Sequence, residues 1–345
     1  AFTTLSGAVF EAGQNITLDL GTGLTGQTSV VTSATEPMSN YFTLTDGTFD
    51  FETWGAGGME NLTPLWLLKY LPNMLSCHTT IIHGCEGPSN NITCGDASGT
   101  MSVGEGARWI ERNAADVVIA GAAESKLNHM GLLRQSMMKR TCTADPATAA
   151  DAVRPFDVDH AGFAIGEGGG LLILEDLERA RSRGATICAE FVGFAAACDP
   201  AGIDLETANC GGLQYALARA IEQAGITPDD VGVAVAQGTA VPGEDDAEAA
   251  AWTDVFGAGR KLPAFTVTGA IGSCFAGSSG IQMVAAIKAL QDQRIPPTVN
   301  FAVPAVESCL DLAPMARPAE AEYAVSGTFA IGGQSAACIF KRYQA

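Results

Sequence analysis

Short, unbroken apolar runs alternate along this chain with apolar stripes of helical spacing, and that alternation restricts the fold more than any other feature. Asp116-Val117-Val118-Ile119-Ala120-Gly121 is the kind of run that a strand buried on both faces needs. Before it, Val103, Ala107 and Ile110 fall at i, i+4 and i+7 within 99–112, one face of a helix. A second strand, Gly170-Leu171-Leu172-Ile173-Leu174-Glu175, is reached through Gly166-Glu167-Gly168-Gly169. The second half behaves alike. Leu213, Leu217, Ala220 and Ala224 make a helix stripe that stops at Gly225, 231–236 and 264–268 read as strands, and 281–290 reads as a mostly apolar helix. Strands separated by helices at this spacing predict an α/β protein whose sheets are mostly parallel and covered on both faces.

An internal echo supports two similar halves. In the first, Gly95-Asp96-Ala97-Ser98-Gly99 leads into a helix; in the second, Cys274-Phe275-Ala276-Gly277-Ser278-Ser279-Gly280 does the same. Glycine and serine carry little bulk, so the free amides of such a helix start can approach another group closely. The halves divide as 1–185 and 186–345, at the charged stretch Arg179-Ala180-Arg181-Ser182-Arg183-Gly184.

Composition removes several classes of function. A chain of 345 residues, 47% hydrophobic, can bury a large core, and no run of about 18 apolar residues is available to cross a bilayer. Thirty-eight acidic against 19 basic residues leave a net charge of −19 with the cations scattered, which argues against nucleic acid or an anionic membrane as partner. The ten cysteines never form a C-x-x-C pair and read as reduced core thiols of a cytoplasmic protein, and no secretory signal opens the chain. Gly21-Thr22-Gly23-Leu24-Thr25-Gly26 matches G-x-G-x-x-G, yet the β-branched segment after it does not read as the helix a dinucleotide site requires. His83 and His129 have no spaced partner ligands, and His160 with Asp157 and Asp159 makes an incomplete metal shell, so neither metal nor cofactor is expected. Asp245, Asp246 and Glu248 read as a solvated helix start, where acids are favoured. The four histidines stand at 78, 83, 129 and 160, and none follows.

The segment Gly87-Pro88-Ser89-Asn90-Asn91-Ile92-Thr93-Cys94-Gly95-Asp96-Ala97-Ser98-Gly99 resembles the nucleophile region of β-ketoacyl synthases, which condense acyl and malonyl thioesters on an acyl carrier protein. The resemblance continues through Arg154-Pro155-Phe156-Asp157, Gly162-Phe163, Gly166-Glu167-Gly168, Gly238-Thr239, Pro242, Asp245, Gly277, Gly280, and Phe329 with Gly332-Gly333. It implies the thiolase-like five-layered α/β/α/β/α fold of two similar halves. The N-terminal unit is then expected to be incomplete, because only twenty residues precede the Gly21-Thr22-Gly23 turn where the family has a further βαβ unit of roughly 30 residues.

The departures from the family pattern carry the function. Counted from Gly87-Pro88 without gaps, the nucleophile cysteine is replaced by Asp96, and the two catalytic histidines by Gln237 and Cys274; the family's lysine is Gly269. A carboxylate attacks thioesters poorly and would give a labile anhydride, whereas the two imidazoles supply the donors that stabilise the enolate formed on decarboxylation. With no histidine after residue 160, no shift of alignment restores either one. At the C-terminal gate Phe329 is kept, Ile331 replaces an aromatic residue and Ser335 an asparagine.

Loss of all three residues on a retained scaffold resembles the chain length factors, although those usually carry glutamine where this chain has Asp96. The expectation is a noncatalytic partner that forms a heterodimer with a catalytic ketosynthase and helps to set polyketide or polyene chain length. In the family the helix before the nucleophile motif lines the acyl tunnel, which here offers Leu67, Leu68, Leu71, Met74 and Leu75. His78 is expected to be structural on that helix. The acidic chain is a poor dock for an acidic carrier protein, so carrier contact is expected through the partner. The alternative is a homodimeric thioester enzyme, a malonyl decarboxylase or hydrolase, with relocated chemistry at Cys94 or Asp96; against it, Cys94 reads as an inert core thiol.

Overall fold

The computed structural model describes residues 71–143, 146–200 and 210–344, apart from the side chains of His129, Pro146 and Ala147. Thr4–Asn90 and Asn91–Ala345 belong to separate compact units. In the first, the described residues hold one helix, α1 (Met74–His83), which ends where Gly84 takes φ 60° and its N–H reaches the Thr80 carbonyl. His78 is exposed on α1, not packed as expected. The G-x-G-x-x-G turn, Leu67 and Leu68 lie outside the described residues.

The larger unit runs through α2 (Ser98–Glu111), β1 (Val117–Ser125), α3 (His129–Met137), β2 (Glu167–Glu175), α4 (Leu177–Ser182), β3 (Glu190–Cys198), α5 (Gly211–Gln223) and β4 (Val231–Val235). It continues through α6 (Pro242–Phe256), β5 (Leu262–Phe265), α7 (Thr268–Ile271), α8 (Ala276–Asp292), β6 (Arg294–Ile295), β7 (Leu310–Asp311), β8 (Arg317–Pro318), β9 (Tyr323–Phe329) and β10 (Gln334–Lys341). Six strands form one sheet in the order β3-β10-β9-β4-β5-β7; β1 pairs with β2, and β6 with β8.

These elements stack in layers because side chains alternate across each strand. On one face of the six-stranded sheet, Ala234, Val325, Ala337 and Ile339 pack on α5 and α6 through Leu213, Leu217 and Trp252. The other face presents Val233, Val235, Ala324, Cys338 and Phe340 to Val103 of α2 and Met283, Ile287 and Leu290 of α8. The far side of that helix pair meets Val118, Ala120, Leu172 and Leu174 of β1 and β2. Helices caught between two sheets have to be thin. A Cβ on Gly104 would stand 2.5 Å from the Phe194 ring of one sheet, and one on Gly106 would stand 3.0 Å from Val118 of the other.

The sheets are mixed rather than mostly parallel. β1 with β2, β3 with β10, β10 with β9 and β6 with β8 run antiparallel, while β4 with β5, β4 with β9 and β5 with β7 run parallel. The tight turn at Gly332 and Gly333, both at positive φ, folds β9 directly back into β10 and leaves no crossover to make them parallel. The hydrophobic pattern does not mark β3, β9 or β10, whose alanine, serine and glycine have little strand preference of their own; burial between layers holds them extended.

Candidate functional site

The starts of α2 and α8 meet at the centre of the larger unit. A short 3₁₀ turn, Gly95–Ala97, feeds α2 and buries Asp96 to 6% exposure. Its geometry is held by Ser98, whose Oγ accepts from the Cys94 N–H at 2.9 Å and donates to the Gly95 carbonyl at 2.6 Å. At α8 the Cys274 N–H donates to Ser278 Oγ at 2.9 Å. The two starts touch directly, the Gly99 N–H donating to Ser279 Oγ at 3.1 Å. Only glycine permits this approach, since a Cβ on Gly99 would stand 2.5 Å from that oxygen.

Gln237 stands just beyond β4, pinned on every side. Its N–H and that of Gly238 donate to the two oxygens of Glu248 at 2.7 and 2.8 Å, and its carbonyl accepts from Thr266 and Thr268 at 2.7 and 2.8 Å. Its side-chain oxygen accepts from the Phe329 N–H at 2.7 Å, which ties this position to the start of the β9–β10 turn. Phe329 is buried and Ile331, within that turn, is half-buried.

A buried ionic cluster adjoins Asp96. Arg140 binds Glu244 through two parallel bonds of 2.7 and 2.8 Å, donates to Gln135 at 3.1 Å and lies over the Phe163 ring, with both charged residues under 5% exposed. Burial lifts the Asp96 carboxyl to about 6, Glu244 and Glu124 push the same way, and the Arg140 charge opposes them. Burial likewise pushes the Cys274 thiol up to about 11 and the Glu248 carboxyl up to about 8. Cys94, half-buried, is raised by burial and then by Cys198.

The acids at the start of α6 are not solvated. Glu244, Asp245 and Glu248 are 2% exposed or less. Asp245 accepts from the N–H groups of Phe156 at 2.6 Å and Ala240 at 3.0 Å, and its Oδ2 lies 3.4 Å from His160 Nδ1. A signal for this exists in the sequence: the residues that follow, Ala247, Ala249, Ala250, Ala251 and Trp252, leave the helix no polar face, so its acids must find partners inside. Asp157, part of the incomplete shell with His160 and Asp159, accepts from the N–H groups of Ala302, Val303 and Asp159. Arg140 and Glu244 are not marked by the sequence, because they are 104 residues apart and belong to no spacing motif.

In the larger unit Gln237 thus bonds Phe329, and the helix starts that follow Asp96 and Cys274 meet at Gly99 and Ser279. Leu71 and Met74 are half-buried and Leu75 exposed in the smaller unit. Models of the β-ketoacyl synthase N-terminal and C-terminal domains match residues 28–180 and 188–302. Over 290 residues the chain is 31% identical to the 3-oxoacyl-[acyl-carrier-protein] synthase 2 of Staphylococcus aureus strain COL, covering 84% of this chain and 70% of that one. The chain belongs to the β-ketoacyl synthase family.

The synthase of the same description from Rhizobium meliloti is 30% identical over 287 residues, covering 83% of this chain and 68% of its own. Among solved β-ketoacyl synthase structures, the ishigamide ketosynthase/chain length factor superposes with a TM-score of 0.76 at 29% identity, over 84% of this chain and 70% of that one. A synthase from Burkholderia phymatum STM815 gives 0.78 at 25%, over 85% and 71%. A ketosynthase solved with its type II polyketide acyl-carrier protein gives 0.79 at 24%, over 84% and 72%, a likeness of fold. The layers described above are those of the thiolase-like fold. Among the described residues no helix is long and apolar enough to cross a membrane.

Proposed function

We propose that this member of the β-ketoacyl synthase family is a noncatalytic subunit, a chain length factor, that pairs with an active ketosynthase and shapes the tunnel holding a growing polyketide or polyene chain in the cytoplasm. One observation carries the reading: the three positions that resemble the family's cysteine and two histidines hold a buried carboxyl, an amide already bonded to the Phe329 N–H, and a buried thiol raised to about 11. Asp96 is a poor thioester nucleophile, and neither Gln237 nor Cys274 can act as an imidazole at an enolate oxygen. The likeness to a solved ketosynthase/chain length factor supports a ketosynthase partner, and the net charge of −19 favours carrier docking on that partner.

The test is to purify the chain together with the ketosynthase encoded beside it, measure the stoichiometry, and assay malonyl-carrier condensation with each subunit alone and together. The expected result is a one-to-one complex whose activity requires the partner's cysteine and whose product length changes with Leu71→Trp or Met74→Trp. A homodimer that consumes malonyl or acyl thioester by itself, and stops doing so in Cys94→Ala or Asp96→Ala, overturns the proposal in favour of a rebuilt active site.

A further inference from the structure

His160 has no part in this reading, yet its side chain is only 8% exposed and its Nδ1 lies 3.4 Å from Asp245 Oδ2. Asp245 ties two loops together. Its Oδ2 accepts from the Phe156 N–H at 2.6 Å, and its Oδ1 accepts from the Ala240 N–H at 3.0 Å and the Thr239 hydroxyl at 3.3 Å. Both residues whose N–H it holds are strained: Phe156 stands at φ 59° and Ala240 at φ 62°, the left-handed region that residues other than glycine rarely adopt. The loops also meet directly, the Gly162 N–H donating to the Ala240 carbonyl at 2.7 Å. The Phe156 ring lies so close to Gly238, the neighbour of Gln237, that a Cβ there would stand 2.8 Å from it.

Asp245 is 1% exposed, and among the described residues no lysine or arginine reaches it; positive charge comes to it by contact only through His160. The imidazole for its part is set among carboxylates. Asp245 and Asp246 face it from α6 and Asp157 from its own loop, while the 300–305 segment that pairs with Asp157 carries no titratable side chain. The neighbouring cations are engaged elsewhere, Arg154 with Asp157 at 3.2 Å and Asp159 at 3.9 Å, and Arg140 with Glu244. We infer that His160 and Asp245 form a pH-sensitive clamp: with both ring nitrogens protonated, His160 holds the 154–160 loop and the loop from Gln237 to Ala240 against the start of α6, and loss of one proton as pH rises loosens both. The bond to Asp245 holds the imidazole above its ordinary 6.5, burial opposes it, and the charges of Asp245, Asp246 and Asp157 add to the rise. The folded value lies above the unfolded one, so the clamp's contribution is full below pH 6.5 and is lost as pH passes the folded value. Neutral His160 still donates through Nδ1, but Asp245 then keeps a buried charge with no cation against it, which weakens the anchor of both strained residues.

Hydrogen exchange of the intact chain, with its partner subunit if the two purify together, is followed by mass spectrometry between pH 6 and 8.5, each rate corrected for the intrinsic pH dependence of amide exchange. The expected result is that protection of the peptides containing Phe156 and Ala240 falls about fivefold over this range, the step between a charge-assisted and a neutral hydrogen bond, while α5 keeps its protection. In His160→Gln, which keeps a donor but does not titrate, protection of both loops should be flat with pH. With only four histidines in the chain the proton itself is visible: in isotope-labelled protein, the imidazole NMR signal that is absent from His160→Gln should titrate with a midpoint above 6.5. Protection that does not change with pH, that falls equally in α5 or that falls equally in His160→Gln overturns the inference, as does a His160 midpoint at or below 6.5. The wild-type exchange decides even where the variant does not fold.

Discussion

At the start of α2 the Cys94 N–H donates to Ser98 Oγ at 2.9 Å, and at the start of α8 the Cys274 N–H donates to Ser278 Oγ at the same 2.9 Å. The backbone device is thus repeated, and the side chains it presents are not. Near α2 it lies beside a buried carboxyl and an Arg–Glu pair; at α8 it holds a buried thiol, with Glu124 accepting from the Ala276 N–H. Equal scaffolding with unequal contents shows that the turn is selected by packing, since two thin helices must cross between sheets, while the chemistry at each turn is set by what the surrounding loops bring to it.

The sharpest way to break the comparison is at Arg140. Arg140→Ala leaves Glu244 buried without its cation and is expected to cost about 3–5 kcal/mol in urea denaturation, whereas the pair at α8, Lys126 with the Glu124 that accepts from the Ala276 N–H, is part-exposed and should cost far less to break. Next is Asp96→Asn, read against pH. The Asp96 carboxyl is raised from 3.8 to about 6, so the folded protein holds a proton there that the unfolded chain releases; the stability this group contributes is full below pH 3.8 and is lost as pH rises through about 6. The variant should therefore gain on the wild type across that window and level off about 2–3 kcal/mol ahead by pH 7, whereas parallel curves would show that Asp96 does not titrate there. Ser98→Ala, which strands the Cys94 N–H and takes one of two donors from the Gly95 carbonyl, should cost about 1–2 kcal/mol, and Ser278→Ala about 1. Smallest is Cys274→Ala, under about 1 kcal/mol and flat from pH 5 to 8, because a thiol raised to about 11 stays protonated in both states over that range.

Much of this arrangement is legible in the sequence. The stripes of α2, α5 and α8 and the runs of β1, β2 and β4 follow from side-chain periodicity, and the small-residue turns mark helix starts open to close approach, though not that Gly99 of one meets Ser279 of the other. The alanine-rich β3 and the hairpin strands β9 and β10 are hidden, because their extended form is imposed by neighbouring layers rather than by their own residues. Charge is the least legible property. Asp245 and Glu248 have the composition of a solvated helix start; the apolar run after them hints at burial, but their partners, Phe156 and Ala240 for one and Gln237 and Gly238 for the other, are far off in sequence or made through backbone N–H groups and leave no pattern. The bond from the Phe329 N–H to Gln237 closes across 92 residues and leaves no local trace.

The contact between Gly99 and Ser279 also bears on how the protein is made. It joins amino acids 180 positions apart, so the start of α2 cannot be seated until the second half has left the ribosome. At ordinary elongation rates of 5–20 residues per second that is a wait of about 9–36 s, during which the nascent first half has β1 and β2 but lacks α8, the helix that packs on both. The β1–β2 pair is therefore completed only with α8, and a pause in translation between them lengthens the interval in which Val118, Ala120, Leu172 and Leu174 are open to chaperones or to other nascent chains.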